Sequence, residues 1–366
     1  LRIGLLINPE YGFARQVTLG AGRALAGTGF IPDPINMDYL PSSEQLRRFD
    51  GVIGLVASQT LYEQVRALGI PCVNVSRAFA TPDLPVVTID NVAAGRMAAE
   101  HLLSRGHHRF AYVGMSERLF SDERAAGFMQ ALREAGRDAV VVERPAGGVD
   151  SRRIFSGWAR PTGVFCCNDT TGRALLDEMV VAGCHVPNDF AVVGVDNDEL
   201  LCLIGTVPMS SVDVRGEVVG ETAARLMMSW LETGQAPPKI TWVTPSRVIA
   251  RASSDTTATD DPVVLKTIAV MQDRGYRDIT LKQIEDAVGL SRRTIERAFR
   301  SRFGCTPAKE LERLRLERAT ALLLDTRLTS TEIAERVGFI SEQRMRRVFL
   351  RRLKLSPVQF RRKYGL

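Results

Sequence analysis

Up to about Ser253, short apolar runs alternate with longer amphipathic stretches. The runs Ile3–Ile7, Gly51–Val56, Cys72–Val75, Val86–Ile89, Phe110–Val113, Val140–Val142, Val164–Cys167 and Ala191–Val195 are rich in Val and Ile. They lack the polar alternation of a half-solvated strand, which is how parallel strands buried on both faces read. Helix-length segments lie between them: Arg15–Ala26, Ala93–Ser104, Glu123–Ala135, Thr171–Ala182 and Glu217–Leu231. This alternation predicts doubly wound α/β units, and the number of strands predicts two similar lobes rather than one sheet. The expected boundaries give one lobe about residues 1–88 and 212–238, and the other about 89–211 and 239–252. Residues 253–261 hold no large apolar side chain and read as a solvated linker.

From Asp261-Pro262 onward every apolar stretch has helical spacing, with Asp as the N-cap and Pro at the first helical position. This all-α segment, 262–366, contains a repeat. Thr280-Leu-Lys-Gln-Ile-Glu-Asp-Ala-Val-Gly289 is echoed by Thr329-Ser-Thr-Glu-Ile-Ala-Glu-Arg-Val-Gly338. Thr280 with Gln283, and Thr329 with Glu332, fit the capping box. Ile284 and Val288, like Ile333 and Val337, form a buried stripe, and Gly289 and Gly338 end each helix. A second helix follows each turn, capped by Ser291 or Ser341, with Ile295 and Phe299, or Met345 and Phe349, facing inward. Thr306-Pro307 opens a connecting helix to Asp325, and Ser356-Pro357 closes the second unit. Two helix-turn-helix units, 280–300 and 329–352, are therefore expected, each laying its second helix in a DNA major groove. A bundle with a solvated Arg face is the alternative for one such unit alone; the matched repeat makes it a poor reading of two.

Charge sharpens this picture. From Pro262 to the end there are 24 Lys and Arg against 12 Asp and Glu; the rest of the chain holds 24 against 30. A basic half beside an acidic one points to a polyanionic partner for the first alone. Arg292, Arg293, Glu296 and Arg297 on the first outward face, and Glu342, Gln343, Arg344 and Arg347 on the second, have base-reading chemistry. Arg pairs bidentately with guanine, Gln with adenine, and Glu accepts from cytosine.

These residues resemble the AraC family of bacterial regulators. The resemblance covers Pro262–Leu366 and rests on Ile284…Val288-Gly289…Ser291…Ile295…Phe299, Arg315-Leu316…Ala319…Leu322-Leu323, and Ile333-Ala334…Val337-Gly338-Phe339…Phe349…Ser356-Pro357…Phe360-Arg361. It implies that Arg293, Glu296 and Arg297 read bases from the first unit and Gln343 and Arg344 from the second, with Arg347 on phosphates. Lys354 stands where the family's turn has Gly.

The N-terminal part resembles the sugar-binding core of the lac-repressor and periplasmic-binding-protein superfamily. The carriers are Val87-Thr-Ile-Asp90-Asn91…Ala94-Gly95, Leu103…Arg105-Gly106-His107…Arg109-Phe110-Ala111, Glu123-Arg124…Gly127-Phe128, Phe165…Asn168-Asp169 and Val192-Val193-Gly194-Val195-Asp196-Asn197. In such folds ligands bind beyond the carboxyl ends of the strands. A sugar offers paired hydroxyls and an apolar ring face, so planar Arg, Asp and Asn groups plus an aromatic suit it. Arg124, Asp169 and Asp196 are the leading candidates, with Asn168, Asn197 and Arg15 beside them and Tyr11 or Phe13 as stacking surface. Helix capping is the alternative for Asp169 and Asp196.

The fold class expected is thus a two-lobed α/β periplasmic-binding-protein-like domain followed by an all-α domain with two helix-turn-helix units. The function implied is a sugar-responsive DNA-binding activator, with a pentose effector, RNA polymerase as partner and a homodimeric state. A repressor of the same architecture, or a sugar-binding protein with nonspecific nucleic-acid affinity, are the alternatives. With 45% hydrophobic and 25% charged residues and no long apolar stretch, a cytoplasmic protein without membrane association is expected. Six scattered cysteines without C-x-x-C or ligand-spaced His predict neither disulfide nor metal. No cofactor or catalytic constellation is read. Gly20-Ala-Gly22…Gly27 superficially matches a dinucleotide fingerprint but lies inside a helix.

Overall fold

The structure, a computed structural model, describes residues 1–366 except 9–11, 36, 38, 39, 145–153, 256–260, 274–278, 304, 365 and 366. It divides into two units, Leu1–Thr256 and Thr257–Leu366.

The first unit holds two six-stranded sheets. One comprises β1 (Arg2–Leu6), β2 (Ile31–Pro34), β3 (Gly51–Gly54), β4 (Cys72–Asn74), β5 (Val86–Ile89) and β11 (Ile240–Val243), in the order β11-β5-β4-β3-β1-β2. The other comprises β6 (Phe110–Met115), β7 (Ala139–Arg144), β8 (Thr162–Cys166), β9 (Phe190–Val195), β10 (Ser210–Asp213) and β12 (Arg247–Ile249), in the order β12-β10-β9-β8-β6-β7. Every pairing is parallel except β10 with β12. Central strands such as β3, β8 and β9 are buried throughout, because helices cover both sheet faces. The first lobe carries α1 (Gly12–Leu25), α2 (Ser43–Leu46), α3 (Gln59–Leu68) and α8 (Gly216–Thr233). The second carries α4 (Asn91–Ser104), α5 (Leu119–Glu134), α6 (Asp169–Val181) and α7 (Glu199–Leu203).

Two boundaries differ from expectation. Residues 239–252 do not all belong to the second lobe: β11 pairs with β5 in register Ile240↔Val86, so the chain crosses between lobes a third time after Val243. The linker also starts later than residue 253. Ser253 and Ser254 are fully buried, and the Ser253 hydroxyl donates to the Val192 carbonyl at 2.6 Å and accepts from the Ser210 amide at 2.8 Å. Small polar side chains there are structural, their hydroxyls replacing ladder partners.

One packing feature positions the site. A Cβ on Gly95 of α4 would lie 2.0 Å from the Arg124 carbonyl, and one on Gly127 of α5 would lie 2.0 Å from the Val92 carbonyl. Only glycine lets these two helices meet backbone to backbone. Gly20 and Gly220 do the same for α1 and α8, so Gly20, the first glycine of the apparent nucleotide fingerprint, serves helix packing.

The second unit is α9 (Pro262–Asp273), α10 (Leu281–Val288), α11 (Arg292–Phe303), α12 (Pro307–Asp325), α13 (Ser330–Arg336), α14 (Glu342–Leu353) and α15 (Pro357–Tyr364). Both capping boxes form, Thr280 with Gln283 and Thr329 with Glu332, and Gly289 and Gly338 take φ of 75° and 83°. α12 serves two cores. Leu311 and Leu314 join Ile284, Val288, Ile295 and Phe299; Leu316, Ala319 and Leu323 join Ile333, Val337, Met345 and Phe349. Phe299 and Phe349 are wholly buried, and truncating either to Ala costs about 3–5 kcal/mol. Lys354 occupies the left-handed region at φ 58°. Outside glycine that conformation costs roughly 1–2 kcal/mol.

Candidate functional sites: the cavity between the lobes and the recognition helices

Within the first unit a cavity opens between the lobes, lined by Phe13, Leu55, Val75, Ser76, Arg77, Thr88, Ile89, Asn91, Phe120, Arg124, Asn168 and Asp196. Its polar centre is Arg124, with a side chain only 4% exposed. The Arg124 Nε donates to Asn91 Oδ1 at 3.0 Å, one terminal nitrogen donates to the Cys167 carbonyl, and the other lies 3.6 Å from Asp196 Oδ1. The Phe120 ring stacks beneath the guanidinium, 5.0 Å from ring centroid to Cζ. The glycine contact between α4 and α5 is what brings Arg124 within reach of Asn91.

Asp196 follows β9 and has φ 111°, and Asn197 has φ 50°. Burial pushes the Asp196 carboxyl up to about 6; Arg124 opposes the rise and Asp198 adds to it. The loop is held from below by Asp169, whose carboxylate accepts from Ser211 Oγ at 2.6 Å and from the Asp198 amide at 2.8 Å. Burial and the Asp196 charge push Asp169 well above the carboxylate range.

Contacts across the cleft tie the lobes together. The Leu119 and Phe120 amides, orphan donors at the start of α5, donate to the Ala78 and Arg77 carbonyls of the first lobe at 3.0 and 2.9 Å. Arg77 pairs with Glu123 at 2.7 Å, and Glu123 also accepts from Asn91 Nδ2 at 2.9 Å. Arg15 pairs with Asp198 at 2.9 Å, while Gln16 Nε2 donates to the Asp196 carbonyl at 3.0 Å.

Of the residues expected at the ligand, Phe13, Arg124, Asn168 and Asp196 line the cavity. Asn168 also caps α6, its Oδ1 accepting from the Thr171 amide at 2.8 Å. Asp169, Arg15 and Asn197 are not among the lining residues: Asp169 and Arg15 brace the 196–198 loop, and Asn197 turns to Arg251, whose Nη2 donates to its Oδ1 at 2.7 Å. Tyr11 lies outside the described residues. Sequence reasoning missed Arg77, Asn91 and Phe120. Phe120 carried a signal, standing four residues before Arg124 on one helix face.

On the second unit, α11 exposes Arg292, Arg293, Arg297 and Arg300 along a groove that also includes Glu296 and Ser301. Glu296 is held between Arg292 at 2.8 Å and Arg300 at 3.2 Å, which keep its carboxyl below the usual range. On α14, Gln343, Arg344, Arg346 and Arg347 are exposed and Glu342 half-buried. Arg344 lies 3.8 Å from Glu312 of α12, and Arg351 also pairs with Glu312. Both N-cap serines accept from helix amides, Ser291 from Thr294 at 3.3 Å and Ser341 from Arg344 at 3.2 Å. Ile340, immediately before Ser341, is 96% exposed, so no hydrophobic staple onto Met345 covers it.

A two-lobed cavity domain followed by paired helix-turn-helix units defines a class, and comparison with known proteins agrees with it. Residues 99–254 match the family described as periplasmic binding protein-like domain, and residues 284–363 match a helix-turn-helix domain family. The chain is a transcription regulator that joins a periplasmic-binding-protein-like domain to an AraC-type DNA-binding domain. Within that class it is homologous to the xylose operon regulatory protein. The Escherichia coli K12 protein of that name is 28% identical over 98% of this chain and 96% of its own length. The Haemophilus influenzae protein is 24% identical over 98% of both. The solved structure of the xylose-binding transcription activator xylR superposes with a TM-score of 0.63 at 27% identity, covering 100% of this chain and 98% of that one. Among the described residues no helix is long and apolar enough to cross a membrane.

Proposed function

We propose that this regulator is a cytoplasmic, homodimeric activator of a sugar-catabolic operon, with a pentose as effector and no enzymatic activity of its own. One observation carries the sugar reading: Arg124, Asp196, Asn91 and Asn168 converge in one cavity whose walls include Phe13 and Phe120. Planar bidentate groups match vicinal hydroxyls, and an aromatic face matches the C–H face of a pyranose. The homology to xylose operon regulators supports a pentose. Effector bound across the cleft shifts DNA binding by the difference in its affinity for the two lobe arrangements.

On DNA, Arg293, Glu296 and Arg297 of α11 and Gln343 and Arg344 of α14 read base edges, while Arg292 and Arg347 hold phosphates. Ile340, bare at the start of α14, meets a thymine methyl. An activator then recruits RNA polymerase from the bound site.

A thermal-shift screen against pentoses and hexoses tests the effector, since a ligand specific to the folded state raises Tm. A pentose, D-xylose first, is expected to give the largest shift and to increase transcription from a promoter fragment selected by the protein. A hexose alone shifting Tm, or transcription falling on effector addition, overturns the corresponding part of this reading. Arg293→Ala is expected to lose about 1–3 kcal/mol of discrimination at one operator base pair; undiminished selectivity in a competition assay counts against α11 as a reader.

A further inference from the structure

We propose that Arg251 is a positioning residue that couples the effector cavity to the segment leading into the DNA-binding unit. This rests on the reading of the cleft as the effector site. Arg251 lies just past β12 and reaches in two directions. Its Nη2 donates to Asn197 Oδ1 at 2.7 Å and its Nη1 to the Met209 carbonyl at 3.0 Å. Asn197 is the next residue after the cavity-lining Asp196, and both adopt positive φ. A side-chain ligand at Asp196 therefore acts on a backbone pair that has little freedom to relax elsewhere.

The other direction leads to the end of the unit. The Arg251 amide donates to Ser210 Oγ at 2.7 Å, and that hydroxyl lies 3.0 Å from the Arg251 carbonyl. Ser254 Oγ is 2.7 Å from Ser210 Oγ and 2.8 Å from His101 Nε2. Ser253 bridges the Val192 carbonyl and the Ser210 amide, and its own amide donates to the Pro208 carbonyl at 2.9 Å. Ser210, Ser253 and Ser254 are all fully buried. The final residues of the sensing unit are thus seated by a serine network that shares Arg251 with the cavity loop.

The first lobe touches the same loop. Gln16 of α1 donates to the carbonyls of Asp196 and Asn197 at 3.0 and 3.4 Å, and accepts from the Gly216 amide at 3.1 Å. A change in how the lobes meet is felt at Asn197, whose side chain Arg251 connects with the exit; the Asn197 amide donates instead to Ser211 Oγ at 2.9 Å, a hydroxyl that leads back to Asp169. Arg suits this task because its rigid fork holds two acceptors in fixed relation, which a lysine ammonium does not.

The test is a coupling measurement on the full chain. Operator affinity is measured by fluorescence anisotropy with and without saturating D-xylose, and D-xylose affinity by calorimetry, for the wild type, Arg251→Ala, Arg251→Lys and Asn197→Ala. The expected result is that D-xylose affinity changes less than threefold in each variant, while the effect of D-xylose on operator affinity falls to within twofold of none. If Arg251→Ala folds poorly, Asn197→Ala removes only the acceptor and carries the test. A second arm needs no effector. Amide exchange of residues 252–255 is expected to differ between wild type and Asp196→Asn, and not to differ when Arg251→Ala is present in both. Coupling retained in the Arg251 and Asn197 variants, or an Asp196→Asn effect on exchange that persists without Arg251, overturns the proposal. A wild type blind to D-xylose counts against the sugar reading instead, and the exchange arm still decides the role of Arg251.

Discussion

The two functional surfaces use arginine in opposite ways. Arg124 has a side chain 4% exposed, with Asn91, the Cys167 carbonyl, Asp196 and the Phe120 ring around it. Arg292, Arg300, Arg344 and Arg351 on the recognition helices are 51–64% exposed and pair with Glu296 or Glu312. A buried guanidinium with several fixed partners has one geometry, so the cavity wall around Arg124 is fixed by the protein's own contacts. A solvated ion pair is worth about 0–1 kcal/mol, so the proposed DNA reading asks the helix arginines to give up their glutamates at little cost. The cavity surface is fixed by buried partners; the helix surface is held only by solvated pairs.

The sharpest way to break the contrast is Arg124→Ala. It leaves the half-buried Asp196 beside Asp198 without its counter-charge and the Asn91 Oδ1 and Cys167 carbonyl without a donor, a loss of about 1–3 kcal/mol. Denaturant melting is expected to register that loss and calorimetry to find no measurable sugar affinity; a variant that binds normally removes Arg124 from the site. Acid is the next lever. Because burial raises the Asp196 carboxyl to about 6, the folded protein retains a proton between its ordinary value and 6 that the unfolded chain has given up. This group's contribution to stability therefore falls as pH rises through that window and is flat above it. Effector hydroxyls donating to the carboxylate need it ionised, so affinity is expected to drop about tenfold per pH unit below 6, while this group favours the fold. Calorimetry in buffers of different ionisation enthalpy checks the proton released on binding.

On the reading side the expected effects are smaller. Glu312→Gln frees Arg344 for a base edge and Arg351 for a phosphate, raising operator affinity a few-fold and steepening the dependence on log[salt] by up to about 1; unchanged affinity and salt dependence show that the two arginines already reach DNA unhindered. Ile340→Ser is the mildest: one thymine methyl left uncovered is worth about 0.8 kcal/mol. Replacing operator thymine by uracil separates the cases: the wild type loses affinity at one position and the variant does not.

The second unit was almost fully legible in the chain because its determinants are local. Capping boxes, terminating glycines and i, i+4 stripes fall within ten residues of one another, and α12 runs over the span that Thr306-Pro307 announces. The first unit was legible only where strands are apolar. β2 contains two prolines and sits at a sheet edge, where a missing amide donor is tolerated. β10 is half serine, its hydroxyls satisfied by residues about forty positions away. The same distance hid Arg77, which lines the cavity from the first lobe and pairs with Glu123, and hid the partner of Asn197. Its side chain was captured by Arg251, 54 residues downstream, and no spacing within either segment announces that contact.

The buried seats of Ser253 and Ser254 also govern where this protein tolerates being divided. A sensing fragment ending at residue 252 strips the Ser210 amide and the Val192 carbonyl, on the interior strands β10 and β9, of their hydrogen-bond partners. Each abandoned group costs about 1–3 kcal/mol. A fragment ending at Asp255 keeps both and retains the pairing of Asp255 with Arg105 at 3.1 Å. The shorter piece is expected to melt several degrees lower in a calorimetric scan, which makes three residues at its tail the difference between a sturdy isolated sensor and a fragile one.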